Sequence, residues 1–188
     1  NRGRYVRWRS KENVIAEIND IRKDHFVKVV HFVDDSFGVN RDWLKDFITS
    51  LPRNGKDRIA LQANMRADMV TEDLCDVFEE YGVNHLRLRI AVECGNEYFR
   101  RIILRKDISN ERLIKAGDML HRYNIQFVTY NMVCLPGETL AQAFETLRMN
   151  LRLKPLLALC FVFQPFPGTE LAEYSIKNGY LSPQSFAE

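Results

Sequence analysis

Several short polar segments of the chain combine residue types that could bind a charged or planar ligand. Asp34 and Asp35 stand side by side after a valine-rich stretch, and adjacent carboxylates can accept hydrogen bonds from an ammonium group or ligate a metal. Glu93 can hold hydroxyl or amino groups, and Arg105 can clamp a carboxylate through two parallel hydrogen bonds. The simpler alternatives are a solvated turn for the two aspartates and an internal Glu–Arg pair for Glu93.

Two later segments could present backbone or aromatic groups to a ligand. Gly137, within Leu135-Pro136-Gly137-Glu138-Thr139, would let the backbone approach a ligand closely. The helix after it would offer free N–H groups, although an ordinary turn capped by Thr139 fits the same residues. In the segment 163–169, two prolines fix a rigid turn, and Phe163 or Phe166 could lie against a flat ring.

The elements that must position these segments alternate between strand-like and helix-like patterns. Strands are predicted at residues 27–33, 59–64, 86–93, 125–133 and 156–163. Helices follow the cap residues Ser10, Asn40, Thr71 and Ser109, and two more are predicted, one at 170–177 and one before it with the inner face Leu140, Phe144, Leu147 and Leu151. This alternation predicts parallel pairing with right-handed crossovers. Ligands bind at the carboxyl ends of such strands, so segments that each follow a strand should meet on one rim.

The polarity of the strands distinguishes an open doubly wound sheet from part of a barrel. A parallel strand buried on both faces reads as a continuous aliphatic run, whereas three of these strands place polar residues at alternate positions, which lie on one face. The predicted polar sets are Gln62 with Asn64, Arg87 with Arg89 and Glu93, and Thr129 with Asn131. An α/β fold with about five parallel βα units follows, as an open, partial (β/α) TIM-like barrel.

Composition sets the broad class of the chain. Its 188 residues are 46% hydrophobic, which suits one domain spanning residues 1–188. The net charge is +2, and the basic residues form no stripe interleaved with aromatics, so no nucleic-acid partner is expected. No apolar run could span a bilayer, so no membrane partner and a cytoplasmic location are expected. The four cysteines lack metal-binding spacing, and the apolar surroundings of Cys134 and Cys160 predict buried thiols.

Taken in order, the segments resemble the radical S-adenosylmethionine (SAM) superfamily, most closely the branch whose members often carry an upstream cobalamin-binding domain. The likeness runs from about residue 4 to residue 179. The matching stretches are Arg7-Trp8-Arg9-Ser10, Phe32-Val33-Asp34-Asp35-Ser36-Phe37, Asn64-Met65-Arg66-Ala67-Asp68, Val92-Glu93-Cys94-Gly95-Asn96-Glu97, Ile103-Leu104-Arg105, Leu135-Pro136-Gly137-Glu138-Thr139 and Pro165-Phe166-Pro167-Gly168-Thr169.

The resemblance implies a role for each matching position. Asp34 and Asp35 occupy the place of the family's commoner Gly-Gly-Glu, where the amino group of SAM is met. The positions that meet the ribose and the methionine carboxylate look like Asn64, Glu93 and Arg105. The residues that resemble the adenine-binding edge are Leu135, Gly137, Glu138 and Phe163.

The resemblance also implies a reaction. In the family, a CxxxCxxC motif after the first strand holds a 4Fe–4S cluster, and reductive cleavage of SAM beside it gives a 5′-deoxyadenosyl radical that acts on a small-molecule substrate. That motif is absent from the 188 residues. We therefore expect the first strand and the cluster ligands to lie upstream, the isolated chain to be inactive, and cobalamin, if used, to be held by an upstream domain.

Two other functions fit the residues. A metal-dependent barrel lyase or hydrolase would use Asp34, Asp35 and Glu93 as oxygen ligands. A non-catalytic scaffold would carry the polar rim without affinity for SAM. The sheet edges that a partial, open barrel leaves exposed predict self-association, with a homodimer favoured over a monomer.

Overall fold

The computed structural model describes residues 7–52, 58–82 and 86–182, and its centre is one parallel sheet of five strands. The strands are β1 (Val29–Phe32), β2 (Ala60–Met65), β3 (Leu86–Glu93), β4 (Gln126–Val133) and β5 (Leu157–Val162). The helices are α1 (Lys11–Asp24), α2 (Arg41–Ser50), α3 (Glu72–Tyr81), α4 (Asn110–Arg122), α5 (Leu140–Leu153) and α6 (Glu170–Lys177). A short 3₁₀ turn (Ala67–Met69) follows β2, and a π-helical turn (Phe99–Ile103) follows β3.

The strand order confirms the barrel-like architecture. The strands pair in the order β1-β2-β3-β4-β5, all parallel. Each helix from α1 to α4 packs against the next helix along the chain. A doubly wound sheet would reverse its strand order where the helices change sides, and no such reversal is present among the described strands. The described part of the chain is therefore an open α/β sheet that matches a partial TIM-like barrel.

Side-chain caps explain where most of the helices begin. Ser10, Asn40 and Ser109 each accept a hydrogen bond from the backbone N–H three residues later, which satisfies one of the free donors of the first turn. Thr139 and Gln142 form a reciprocal capping box at the start of α5. Thr71 precedes α3 but makes no capping bond, because its hydroxyl donates to Asp73 Oδ1.

The hydrophobic core fills the space between the sheet and the helices. Alternate residues of β2 and β3 face the helices, and they are buried with the inner faces of α2, α3 and α4. Leu61 and Leu88 on the sheet and Leu44, Phe47 and Leu120 on the helices are fully buried. Because this burial is the main favourable contribution to folding, it fixes which face of each strand is left for a site.

The opposite face of the sheet is polar on β2 and β3, as predicted. Gln62 lies beside Arg87 and Asn64 beside Arg89 in the β2–β3 register. The prediction for β4 was wrong: Thr129 pairs with Ile90 on the helix-facing side and is fully buried. A register shift between Ala91 and Glu93 accompanies this arrangement.

Asn150 of α5 explains how β4 buries its polar residues on the helix side. Thr129 Oγ1 donates to Asn150 Oδ1 (2.5 Å), and Asn150 Nδ2 donates to Asn131 Oδ1 (2.8 Å). Asn131 Nδ2 donates to the Leu159 carbonyl of β5 (2.9 Å). Since these groups satisfy one another, their burial carries little penalty.

The cysteine prediction was also wrong. Cys134 and Cys160 are exposed, whereas Cys75 and Cys94 are buried. Cys160 belongs to β5, which pairs with only one strand among those that the structure describes. Its apolar sequence neighbours therefore do not make it buried. Within the described residues, no helix combines the length and the apolar character needed to cross a membrane.

Candidate functional site

A pocket of about 900 Å³ opens at the carboxyl ends of the strands, on the rim that the sequence predicted. It receives side chains from the ends of β2 to β5 and from the segments that follow β1 and β3. The lining residues are Asp35, Ser36, Asn64, Met65, Arg66, Arg89, Ala91, Glu93, Lys106, Ile108, Tyr130, Asn131, Met132, Phe161, Val162 and Gln164. Three of the nine predicted site residues are among them: Asp35, Asn64 and Glu93.

Asn64 ties the loop after β1 to the end of β2. Its side-chain Nδ2 donates to the Asp34 carbonyl (3.1 Å), and its own carbonyl accepts from Phe37 N (2.8 Å). These bonds orient the two aspartates differently: Asp35 lines the pocket, while Asp34 lines a neighbouring cavity of about 480 Å³ between α1 and β1. Asn64 Oδ1 is buried and has no hydrogen-bond partner among the described residues, so it is an acceptor available to a ligand.

Arg66 is a pocket residue that the chemical argument missed. Its guanidinium makes a bidentate ion pair with Asp68, with Nε 2.9 Å from Oδ1 and Nη2 2.7 Å from Oδ2. The hydrogen bond from Arg66 lowers the pKa of Asp68, so the pair stays ionised and neutral overall. The signal in the sequence was only the Arg-x-Asp spacing just past the end of a strand.

The cation beside Glu93 is Lys106, whereas the simpler interpretation of the sequence was a Glu–Arg pair. Lys106 Nζ forms an ion pair with the Glu93 carboxylate at the pocket wall. Arg105 points into a different depression, beside α6, and pairs there with Glu170. The π-helical turn upstream holds more residues per turn than an α-helix, and Arg105 itself has a left-handed backbone (φ 52°). Neither feature is readable from residue types.

A fully buried arginine holds the wall of the pocket in place. Arg100 donates from Nε to the Ile108 carbonyl (2.7 Å), from Nη1 to the Cys94 carbonyl (2.7 Å) and from Nη2 to Asn110 Oδ1 (2.5 Å). It therefore clamps the turn after Glu93 to the start of α4. Burial lowers the pKa of Arg100, and the three acceptors compensate the loss of hydration of its charge.

The turn after β4 supports the rim but does not reach the pocket. Leu135 is only 3% exposed and packs with Cys94 and Phe99, and Phe163 lies against the same cluster. Gly137 has a positive φ of 83°. Glu138 Oε2 accepts from Leu135 N (3.2 Å), and burial raises the pKa of Glu138. The pocket that Asp35, Asn64 and Glu93 line is thus not lined by Leu135, Gly137, Glu138 or Phe163.

The buried cysteine at the rim is not a thiolate. Burial raises the pKa of Cys94 to about 12, and its Sγ–H donates to the Asn96 carbonyl (3.4 Å). A thiol in this state is neither a nucleophile nor a cluster ligand at neutral pH. Among the residues the structure describes, no group of three or more His, Cys, Asp or Glu side chains could hold a metal ion. Asp34, Asp35 and Glu93 are accordingly not gathered as the metal-dependent alternative requires.

Comparison with known proteins agrees with this fold. The model of the radical SAM superfamily matches residues 1–149. That is most of the chain, and the protein belongs to this superfamily.

Individual relatives share only part of their length with this chain. It is 25% identical over 177 residues to an uncharacterised methyltransferase of Pyrococcus horikoshii, which covers 93% of this chain and 38% of that protein. The radical SAM methyltransferase TsrM of Kitasatospora setae, solved with cobalamin and a 4Fe–4S cluster bound, shows a TM-score of 0.72 at 13% identity over 89% of this chain and 32% of TsrM. The radical SAM enzyme HemN of Escherichia coli, a coproporphyrinogen III oxidase, gives 0.63 at 15% identity over 95% and 44%. The last two likenesses show a common fold.

Proposed function

We propose that this chain is the SAM-binding barrel segment of a radical SAM enzyme, and that the pocket at the carboxyl ends of the strands holds SAM. The observation that carries the proposal is the convergence of Asp35, Asn64 and Glu93 on one pocket of about 900 Å³. The family resemblance selected these residues from the sequence, and the fold brings them together from three different strand ends.

The chemistry of these groups suits the polar parts of SAM. The Asp35 carboxylate can accept hydrogen bonds from an ammonium group. Asn64 Oδ1, buried and unpartnered among the described residues, can accept from a ribose hydroxyl or an amine. Glu93 has a left-handed backbone (φ 66°), which turns the chain at the rim, and its carboxylate can accept from ribose hydroxyls while Lys106 holds it. The Lys106 ammonium can also donate a hydrogen bond to the carboxylate of SAM.

The residues of this chain would bind and orient the cofactor. SAM beside a 4Fe–4S cluster would supply one-electron reductive cleavage at the sulfonium. The cluster ligands are not found among these 188 residues, so we assign the cluster to another part of the enzyme. Arg100 and the turn it clamps would keep Glu93 in place, and Met132, Ile108 and Phe161 would limit the access of water.

Methyl transfer is the reaction subtype that the relatives favour. Two of them are named as methyltransferases, and TsrM carries cobalamin. We propose that cobalamin, if used here, binds outside the described residues, because the relatives extend well beyond the length that this chain covers.

Isothermal titration calorimetry of the chain with SAM tests the assignment of the pocket. We expect saturable binding, weakened about tenfold by Asn64→Ala, since a hydrogen bond to a buried acceptor contributes on the order of 1.4 kcal/mol. Asn19→Ala is the matched control, because Asn19 is exposed on α1; it should bind SAM as the unmodified chain does. Absence of binding by the unmodified, folded chain, or equal affinity in the Asn64 and Asn19 variants, would refute the assignment.

A further inference from the structure

We propose that Arg89, on the floor of this pocket, binds the anionic group of the substrate, and that the substrate is a planar, apolar molecule carrying a carboxylate. This inference rests on the proposed function, since it assigns the remaining part of the same pocket. The family match itself names no substrate.

Arg89 lies at the centre of the polar face of the sheet. It stands beside Asn64 in the β2–β3 register, and its side chain is half-buried and lines the pocket. The rigid sheet holds its backbone on both sides, through β2 and β4. A ligand that enters past Asn64 and Glu93 therefore meets this guanidinium.

The guanidinium is oriented by neutral groups. Its Nη2 donates to Gln62 Oε1 (3.1 Å), and its Nη1 donates to the ring of His31. The imidazole accepts this bond and is therefore neutral, and both burial and the charge of Arg89 lower the pKa of His31. A guanidinium has five N–H donors, so two fixed bonds leave donors free for a ligand.

The charge of Arg89 is not neutralised within the described residues. No described Asp or Glu oxygen forms an ion pair with it, whereas the other two cations of the pocket are paired, Arg66 with Asp68 and Lys106 with Glu93. A cation without a counter-ion in a pocket attracts an anionic ligand group. Arginine suits a carboxylate in particular, because its planar fork forms two parallel hydrogen bonds.

The surfaces beside Arg89 are aromatic and apolar. The Tyr130 ring lies 5.9 Å from Arg89 Cζ, and the Phe161 ring lies 6.0 Å from that of Tyr130. Tyr130, Phe161, Met132 and Ile108 all line the pocket. A flat ring next to the carboxylate would bury its faces against these side chains.

Matched fluorescent probes test this assignment in the chain itself. We would titrate the chain with 2-naphthoate and with its uncharged counterpart, 2-naphthamide, and follow fluorescence anisotropy. We expect naphthoate to bind at least about tenfold more tightly, and Arg89→Gln to abolish that preference. Arg89→Lys should keep part of it, because it retains the charge but loses the fork. Arg148→Gln, which removes an exposed arginine of α5, is the control, and circular dichroism checks that every variant is folded.

The carboxylate could also come from SAM, and a second titration separates the two sources. If Arg89 serves the substrate, Arg89→Gln should leave the SAM affinity within about twofold. A tenfold loss of SAM affinity with unchanged naphthoate binding would assign Arg89 to the cofactor and overturn the inference, as would equal binding of naphthoate and naphthamide by the unmodified chain. Failure of SAM to bind the unmodified chain would refute the proposed function while the naphthoate result still reports on Arg89.

Discussion

At the scale of single residues, two charged side chains, Arg100 and Glu138, have atoms that are shielded from bulk solvent. Arg100 is fully buried with three acceptors, and Glu138 keeps one carboxylate oxygen buried and unpartnered among the described residues. The three acceptors offset the cost of burying the Arg100 charge, and Arg100 positions the turn beside Glu93. The cost of burying the Glu138 carboxylate is only partly offset by its hydrogen bonds, so ionisation of Glu138 should oppose folding.

The titration of Glu138 gives a prediction with a defined sign. Burial raises the pKa of Glu138 in the folded chain. Its favourable contribution to the free energy of unfolding is therefore complete below the unfolded-state pKa of about 4.3, and it is lost as the pH rises through the folded-state pKa. Glu138→Gln removes the ionisable group, and with it this loss of stability at higher pH. The melting temperature of the variant, relative to the unmodified chain, should therefore increase as the pH is raised from about 4 to 7.

Thermal melts followed by circular dichroism across this pH range measure the difference. Glu111→Gln, on the exposed side of α4, is the control for removing one carboxylate. A difference between Glu138→Gln and the unmodified chain that is constant with pH, or that shrinks as the pH rises, would contradict the assigned burial cost.

At the scale of elements, the turn after β3 is fixed by its contact with α5. Gly95 N donates to Thr146 Oγ1 (2.8 Å), and Asn96 Nδ2 bonds both carboxylate oxygens of Glu145 (3.1 Å each). A Cβ at Gly95 would lie 2.2 Å from the Glu145 carbonyl oxygen. The backbone of the turn thus approaches the helix more closely than any side chain would permit.

Substitution of this glycine should separate the turn from the helix. We expect Gly95→Ala to lower the free energy of unfolding by about 1–3 kcal/mol, because a rigid backbone oxygen must move to accommodate the methyl group. Gly117→Ala is the matched control: its Cβ would lie 2.8 Å from the flexible Leu153 side chain, and alanine favours the helix. Urea denaturation of both variants measures the effect, and a loss at Gly117 equal to or larger than that at Gly95 would argue against this close packing.

At the scale of the whole molecule, the described sheet has two free edges and apolar surface beside them. Leu140, Leu147 and Leu151 on α5 and Leu157 on β5 are all more than half exposed. Exposed apolar patches of this kind mark contact surfaces, and a free strand edge offers unpaired backbone groups.

We expect the chain to self-associate through this surface, with a dimer as the main species. Leu147→Lys together with Leu151→Lys should shift the chain towards the monomer, because charge on the patch opposes its burial. Multi-angle light scattering measures the mass of the unmodified chain, of this variant and of Ala141→Lys. That control adds a charge at an exposed position of the same helix, on the side of the exposed Arg148. A monomeric unmodified chain would contradict the expectation.

The sequence by itself determined the α/β class, the number of βα units and the rim on which the pocket lies. β3 and α6 were predicted with the bounds that the structure shows, and the other strands to within one or two residues, because hydrophobic periodicity and helix caps are local signals. Asp35, Asn64 and Glu93 were predicted to meet because parallel strands end at one edge of a sheet.

Only the tertiary structure decided which neighbouring side chain faces the pocket. The π-helical turn and the left-handed backbone of Arg105 place Lys106 beside Glu93. Asn150 of α5 provides the hydrogen-bond partner with which Thr129 is buried on the helix side. The exposure of Cys160 depends on how few elements flank β5. Each of these outcomes depends on one extra residue in a turn or on a neighbouring element distant in sequence, and residue types carry no local signal for either.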